Sequence, residues 1–176
     1  METVYCAAFP FAVGEMWLAA TAAGLCRVAL PQRGRDGLFR WLAKHIPEGE
    51  IIMSAGANLR YAAAIAAYLA GDVREFTVPL DLRGTAFQRL VWMEVGRIPY
   101  GRTATYREIA ARIGRPAAYR AVGAANGANP VPPFIPCHRV VGSDGTLTGY
   151  GGGLALKRQL LELEGSFRPA AGEFQQ

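Results

Sequence analysis

Over the first thirty residues, apolar and polar positions alternate in short runs, broken at Gly14 and at Ala23-Gly24. Successive side chains of a strand point to opposite faces, so Met16–Thr21 and Leu25–Leu30 are expected as neighbouring strands of an antiparallel meander. The period then changes. Leu38, Leu42 and Ile46 recur every four residues, which predicts a helix over Asp36–Ile46 that Pro47 ends. A second helix is expected from about Ala57 to Ala70, stopped by Gly71-Asp72. Glu75–Leu82 reads as an extended strand containing Pro79. Residues 1–83 are thus expected to form a small α+β domain with a supporting role.

Leu82-Arg83-Gly84-Thr85 marks the junction to a second region, 84–168. Thr85 can cap a helix whose Phe87, Val91, Val95 and Ile98 form one apolar stripe, and Pro99-Tyr100-Gly101 breaks it. Thr105 is expected to cap a short helix, Tyr106–Ile113, ending at Gly114. Another helix should start at Pro116 or Ala117 and run to about Ala125. Short helix, turn and second helix in this order resemble a helix-turn-helix. Asn129–Pro136 holds four prolines and must be a stiff, non-helical loop leading straight into Cys137. A last helix is expected over Leu154–Glu164, with Gly165 as its stop. Residues 169–176 read as a loose tail, and there is no internal repeat.

Charge separates the two regions. Residues 1–83 carry eight Lys/Arg and eight Asp/Glu, whereas residues 84–168 carry eleven against five. The second region is therefore the better partner for a polyanion. No apolar run approaches the roughly 18 residues of a membrane helix, and Met1-Glu2-Thr3 is unlike the start of a signal peptide. A cytoplasmic location without membrane association is expected. Three cysteines do not suggest a disulfide framework. Cys6 and Cys26 sit in apolar runs and read as buried small hydrophobes.

Cys137 has other neighbours. Ile135-Pro136-Cys137-His138-Arg139-Val140 sets a thiol beside an imidazole and a guanidinium, groups that favour the nucleophilic thiolate. Extended neighbours point to opposite sides of a chain, so Cys137 and His138 are expected to communicate through a water or a turn. Glu164, in the last turn of its helix, opposes the helix dipole. It is either an exposed, solvated carboxylate or one buried against His138, where it would orient the ring.

Taken together, Ile135–Val141, Arg120–Gly123, Asn129-Pro130 and Gly149–Gly153 resemble the O6-alkylguanine-DNA alkyltransferases. Phe87-Gln88, Val91-Trp92, Ile98–Gly101 and Tyr106 extend the resemblance, which is dense over residues 76–165. It implies an α+β protein: a ribonuclease H-like first domain, then a mainly helical domain with a helix-turn-helix of winged-helix type. It implies that Cys137 takes the alkyl group from O6-alkylguanine in one irreversible turnover, with O4-alkylthymine as a second candidate lesion. By the same resemblance, His138 acts as base through a water and Glu164 holds that histidine. Asn129 ties the active-site turn, and Tyr106 donates to the departing purine. Tyr150 walls the pocket, Val140 and Gly151 offer backbone groups to the base, and Arg120 fills the gap left by the extruded nucleotide. Asn126 and Gly151 depart from some members, which carry a larger apolar residue and a serine there, so they bear on pocket size.

The expected partner is double-stranded DNA, held through the minor groove with the damaged base flipped out. A helix that reads sequence in the major groove presents Arg, Asn or Gln to base edges. Ala117–Ala125 offers mostly small residues, and Ala121 and Gly123 permit close approach while Arg120 stands alone. A monomer is expected, with cooperativity on DNA left open, and no cofactor. Cys6, Cys26 and His45 lack the spacing of a four-ligand zinc site, so no metal is expected. Two rivals stand beside this reading. A cysteine hydrolase would need an oxyanion hole, for which no local signature exists. A DNA-binding module without chemistry resembles this family but carries Trp at the cysteine position.

Overall fold

A computed structural model describes residues 1–167. The first half is built on a four-stranded sheet in the order β3-β2-β1-β4. Strands β1 (Thr3–Phe11), β2 (Gly14–Thr21) and β3 (Gly24–Ala29) form the antiparallel meander, and β4 (Glu50–Met53) runs parallel to β1. The alternation along these strands sorts their side chains to two faces. Val4, Cys6, Ala19, Cys26 and Ala29 bury against Leu38, Leu42 and Ile46 of helix α1 (Gly34–His45) and the residue that ends it. Met16, Leu18, Leu25 and Val28 face the other way, towards Tyr61, Ile65 and Tyr68 of α2 (Ala55–Leu69).

That second cluster does not stop at residue 83. It continues through Val91, Trp92 and Val95 of α3 (Ala86–Gly96) into Ile109, Val122, Phe134 and Leu160. The sheet and the helical half therefore share one core.

The helical half is started by local chemistry. Thr85 and Thr105 each accept a backbone N–H three residues on, while Gln88 and Glu108 reach back, so both α3 and α4 (Tyr106–Arg112) open with complete capping boxes. A 3₁₀ turn over Pro116–Ala118 leads into α5 (Tyr119–Gly127), giving the expected helix, turn and helix. A two-stranded parallel ladder joins β5 (Ala104–Thr105) to β6 (Val140–Val141), and α6 (Gly153–Leu163) closes the described chain. Gly165 follows it at φ +70°, a conformation that suits a helix stop.

Two departures from the sequence reading are physical. Glu75–Leu82 is not a strand: it makes a single bridge, Leu25 to Leu80, because Pro79 has no N–H to continue a ladder. β4 gave no alternating signal, since its four residues are all exposed at a sheet edge. The expected tail, 169–176, lies outside the described residues.

Candidate active site

The proline-rich loop is fixed from both halves. Val28 of β3 donates its N–H to the Pro130 carbonyl at 2.8 Å. Asn129 then works inside the loop: its carbonyl oxygen accepts Val131 N–H at 3.0 Å, and its amide donates to the Ile135 carbonyl at 2.7 Å and to Cys137 Sγ at 3.0 Å. Asn126 Nδ2 donates to the Cys137 carbonyl at 3.2 Å. Cys137, His138 and Arg139 form a 3₁₀ turn rather than an extended run. No hydrogen bond joins the thiol to the imidazole.

His138 is fully buried, and its Nε2 lies 2.8 Å from Glu164 Oε1. Glu164 is the buried alternative of the two readings, and the dipole it opposes is outweighed by donors. Arg139 donates Nε to Oε2 and Nη2 to Oε1, both at 2.9 Å. Tyr68 donates its hydroxyl at 2.6 Å, and Gly101 N–H adds 3.3 Å. Burial alone would raise this carboxyl, but the bonds from His138 and Arg139 prevail and hold it down at about 2. An ionised Glu164 only accepts, so Nε2 carries the hydrogen, and in the neutral ring Nδ1 must then be the acceptor. Nδ1 is buried without a hydrogen-bond partner among the described residues. Burial also depresses the basicity of His138, which keeps the ring neutral at rest.

Burial pushes the Cys137 thiol up to about 11, against the pull of the Asn129 amide and the Lys157 charge. At neutral pH the thiol is protonated. It can become a nucleophile only by handing its proton to a neighbour, and the unpartnered Nδ1 belongs to the residue next in the chain.

Beside Cys137 lies a cavity of about 30 Å³, walled by Leu30, Asn129, Pro132, Tyr150 and Gly151 among others. It has room for about one water. Lys157 ties β6 to the segment before Gly149: buried, with its basicity lowered by burial to about 8, it donates to the carbonyls of Val140 at 2.6 Å and Thr148 at 2.8 Å. The Thr148 carbonyl also accepts the Tyr106 hydroxyl at 3.1 Å. Gly123 lies under the Tyr106 ring, 3.7 Å from where its Cβ would be. Thus Asn126, Asn129, Cys137, Tyr150 and Gly151 line one pocket; Tyr106 stands outside that lining and reaches it only through the Thr148 carbonyl, while Val140 is buried in β6. Along α5, Val122, Ala125 and Asn126 are buried, whereas Arg120, Ala121 and Ala124 form a smooth exposed face.

Three residues were missed by sequence reasoning. Tyr68 lies 96 residues before its carboxylate partner, with no motif to link them. Arg139 stood in view within the cysteine motif without a role. Lys157 was given no role, yet its place one turn before Leu160 and Leu161 puts it on the buried stripe with Leu156.

Residues 86–166 match the family described as "6-O-methylguanine DNA methyltransferase, DNA binding domain". Over 92% of this chain and 90% of its own length, the inducible methylated-DNA–protein-cysteine methyltransferase of Bacillus subtilis is 44% identical. The corresponding Mycobacterium bovis protein is 61% identical over 104 residues, which span 63% of its length. The crystal structure of Mycobacterium tuberculosis OGT in complex with DNA superposes with a TM-score of 0.77 at 40% identity, covering 93% of each chain.

Proposed function

The chain belongs to the methylated-DNA–protein-cysteine methyltransferase family, and from that premise, with repair of O6-methylguanine in DNA as its activity, we propose which residues perform the transfer. The observation that carries the assignment is the buried, unpartnered Nδ1 of His138, set as an acceptor by the Glu164 bond on the other side of the ring.

Cys137 gives its proton to His138 Nδ1 through one bridging water. Glu164, already ionised, stabilises the imidazolium that forms. The thiolate attacks the methyl carbon from the side opposite O6; the S–C bond forms as the C–O6 bond breaks, and the electron pair stays on the purine. Tyr106 donates a hydrogen bond to the ring as that charge grows. The thioether has no leaving group that water can displace under mild conditions, so Cys137 is consumed in one event.

A purine does not fit the present cavity, so Gly149–Gly151 must swing outward to admit it, exchanging the Thr148 contacts of Tyr106 for contacts with the base. Double-stranded DNA is the partner, approached by α5 in the minor groove. The small exposed face of α5 allows the backbone close to the groove floor, and Arg120 takes the place of the extruded nucleotide. A cysteine hydrolase is disfavoured, since the donors near Sγ, the Asn126 and Asn129 amides and the Cys137 N–H, are already engaged with the loop and the thiol itself.

The test is incubation with an O6-methylguanine duplex followed by intact-protein and peptide mass measurement. One methyl per chain, on Cys137, is expected. Release of product without a protein adduct would overturn the reading.

A further inference from the structure

Helix α1 carries Arg33, Gly37, Arg40 and Lys44 at intervals of four, three and four residues, which places them on one helical face. Cations four apart on a helix repel each other, and the one carboxylate of α1, Asp36, beside Arg40 at the edge of this face, enters no ion pair among the described residues that would offset that. The face borders a cleft of about 420 Å³, whose floor includes Arg27 of β3 and whose far wall includes Gly127, Ala128 and Gly151. No carboxylate lines it among the described residues. Arg33, Arg40 and Lys44 enter none of the ion pairs among the described residues. Arg27 lies over the Trp41 ring at 5.6 Å with its Nε buried and unpartnered. Burial and the nearby Arg33 lower its basicity to about 10, the mark of a cation lacking a counter-charge. A cleft of one sign with low-dielectric walls concentrates its field on whatever enters it.

The cleft is continuous with the cavity at Cys137: Leu30, Gly127, Asn129, Pro132 and Gly151 line both. We propose that this cleft is a phosphate-binding subsite for the DNA strand that leads away from the base held at Cys137. The first half of the chain thereby grips the substrate whose chemistry the second half performs. The ligand is a phosphodiester backbone, recognised by charge without base contacts. At the end of α5 nearest the cleft, Gly127 and Ala128 supply no cation of their own, so the positive charge there comes from α1 together with Arg27 and the ion-paired Arg83. This inference rests on the repair reading above.

The experiment is the triple variant Arg33→Ala, Arg40→Ala, Lys44→Ala; alanine preserves the helix. Affinity for an O6-methylguanine duplex is measured against salt. Each phosphate contact contributes about 0.9 to the slope of log affinity on log salt for duplex, and about 0.7 for single strand, so the triple variant should lose about 2–3 from that slope. Arg60→Ala, on α2 across the sheet, should leave the slope unchanged. Transfer from free O6-alkylguanine base should proceed at the wild-type rate. An unchanged slope overturns the proposal, as does an equal loss on the free base, which would assign the cations to the fold of the active site. Tight binding of a deoxynucleoside monophosphate to the wild type with no slope change would make this a mononucleotide pocket and overturn it too. Failure of the wild type to gain a methyl would instead sink the repair reading, so the two failures are separable.

Discussion

The molecule buries three cysteines, two in the sheet of its first half and one under the helices of its second. Burial treats them alike: it pushes Cys6 to about 11, Cys26 to about 12 and Cys137 to about 11. Their surroundings differ. Cys26 Sγ donates to the Ala19 carbonyl at 3.2 Å and sits, like Cys6, fully enclosed between the sheet and α1. Cys137 keeps 5% of its surface, opens on a cavity, and precedes a histidine whose free nitrogen is oriented from 26 residues away. Resting acidity therefore does not distinguish a reactive cysteine from an inert one. A prepared proton acceptor and a path for the substrate do.

The sharpest way to break this comparison is to exchange the thiols one at a time. Cys137→Ser should reduce methyl uptake below detection while duplex binding persists, because a neutral hydroxyl is a far weaker nucleophile. Cys6→Ala and Cys26→Ala should transfer at the wild-type rate, though each loses some stability. Uptake by the serine variant, read by mass, would move the acceptor elsewhere.

Next in size is His138→Ala, expected to slow transfer about 10²–10⁴-fold at pH 7. Its pH profile is more telling. In the wild type the proton moves within the protein, so the rate should not climb with thiol ionisation between pH 7 and 9.5. Without the base, the thiolate must come from solvent, and the rate should rise nearly tenfold per pH unit towards the thiol value of about 11. A flat profile in the variant would show that the thiol has another acceptor.

Arg120→Ala probes the other end of the same half. Unstacking a base costs a few kcal/mol, so loss of the plug should slow duplex repair about 10–100-fold and leave the free base almost unaffected. Equal losses on both substrates would exclude a flipping role.

The smallest expected effect links the halves. Tyr68→Phe removes one donor from ionised Glu164, at a cost of about 1–3 kcal/mol in stability. Glu164 is held down at about 2, so its contribution is complete above the ordinary carboxylate range and is lost as pH falls towards 2. The variant should therefore unfold at higher pH on acid titration and transfer several-fold more slowly at neutral pH. A wild-type rate together with a wild-type acid midpoint would leave Tyr68 as packing alone.

Much of this was legible in the chain, and the pattern of what was not is instructive. The meander, the two capped helix starts, the helix-turn-helix order and the cysteine motif were readable because each depends on residues no more than a few positions apart, whose spacing the backbone fixes. Burial of Cys6 and Cys26 followed from their apolar runs. The fate of Glu164 could not be read, since the same residue in the same last turn suits solvent or a buried relay equally well. Only the packing of α2 and α6 around His138 chose between them, by bringing Tyr68, Arg139 and the Gly101 N–H to one carboxylate. The cations of α1 were given no role in the sequence reading; that they border a cleft sharing walls with the cavity at Cys137 depends on how β3 and the proline-rich loop meet, at the hydrogen bond from Val28 to Pro130. Local spacing decides which elements form. Which side chains become partners is decided by the shared core, because desolvation makes an unpaired polar group costly only once the surrounding elements have closed over it.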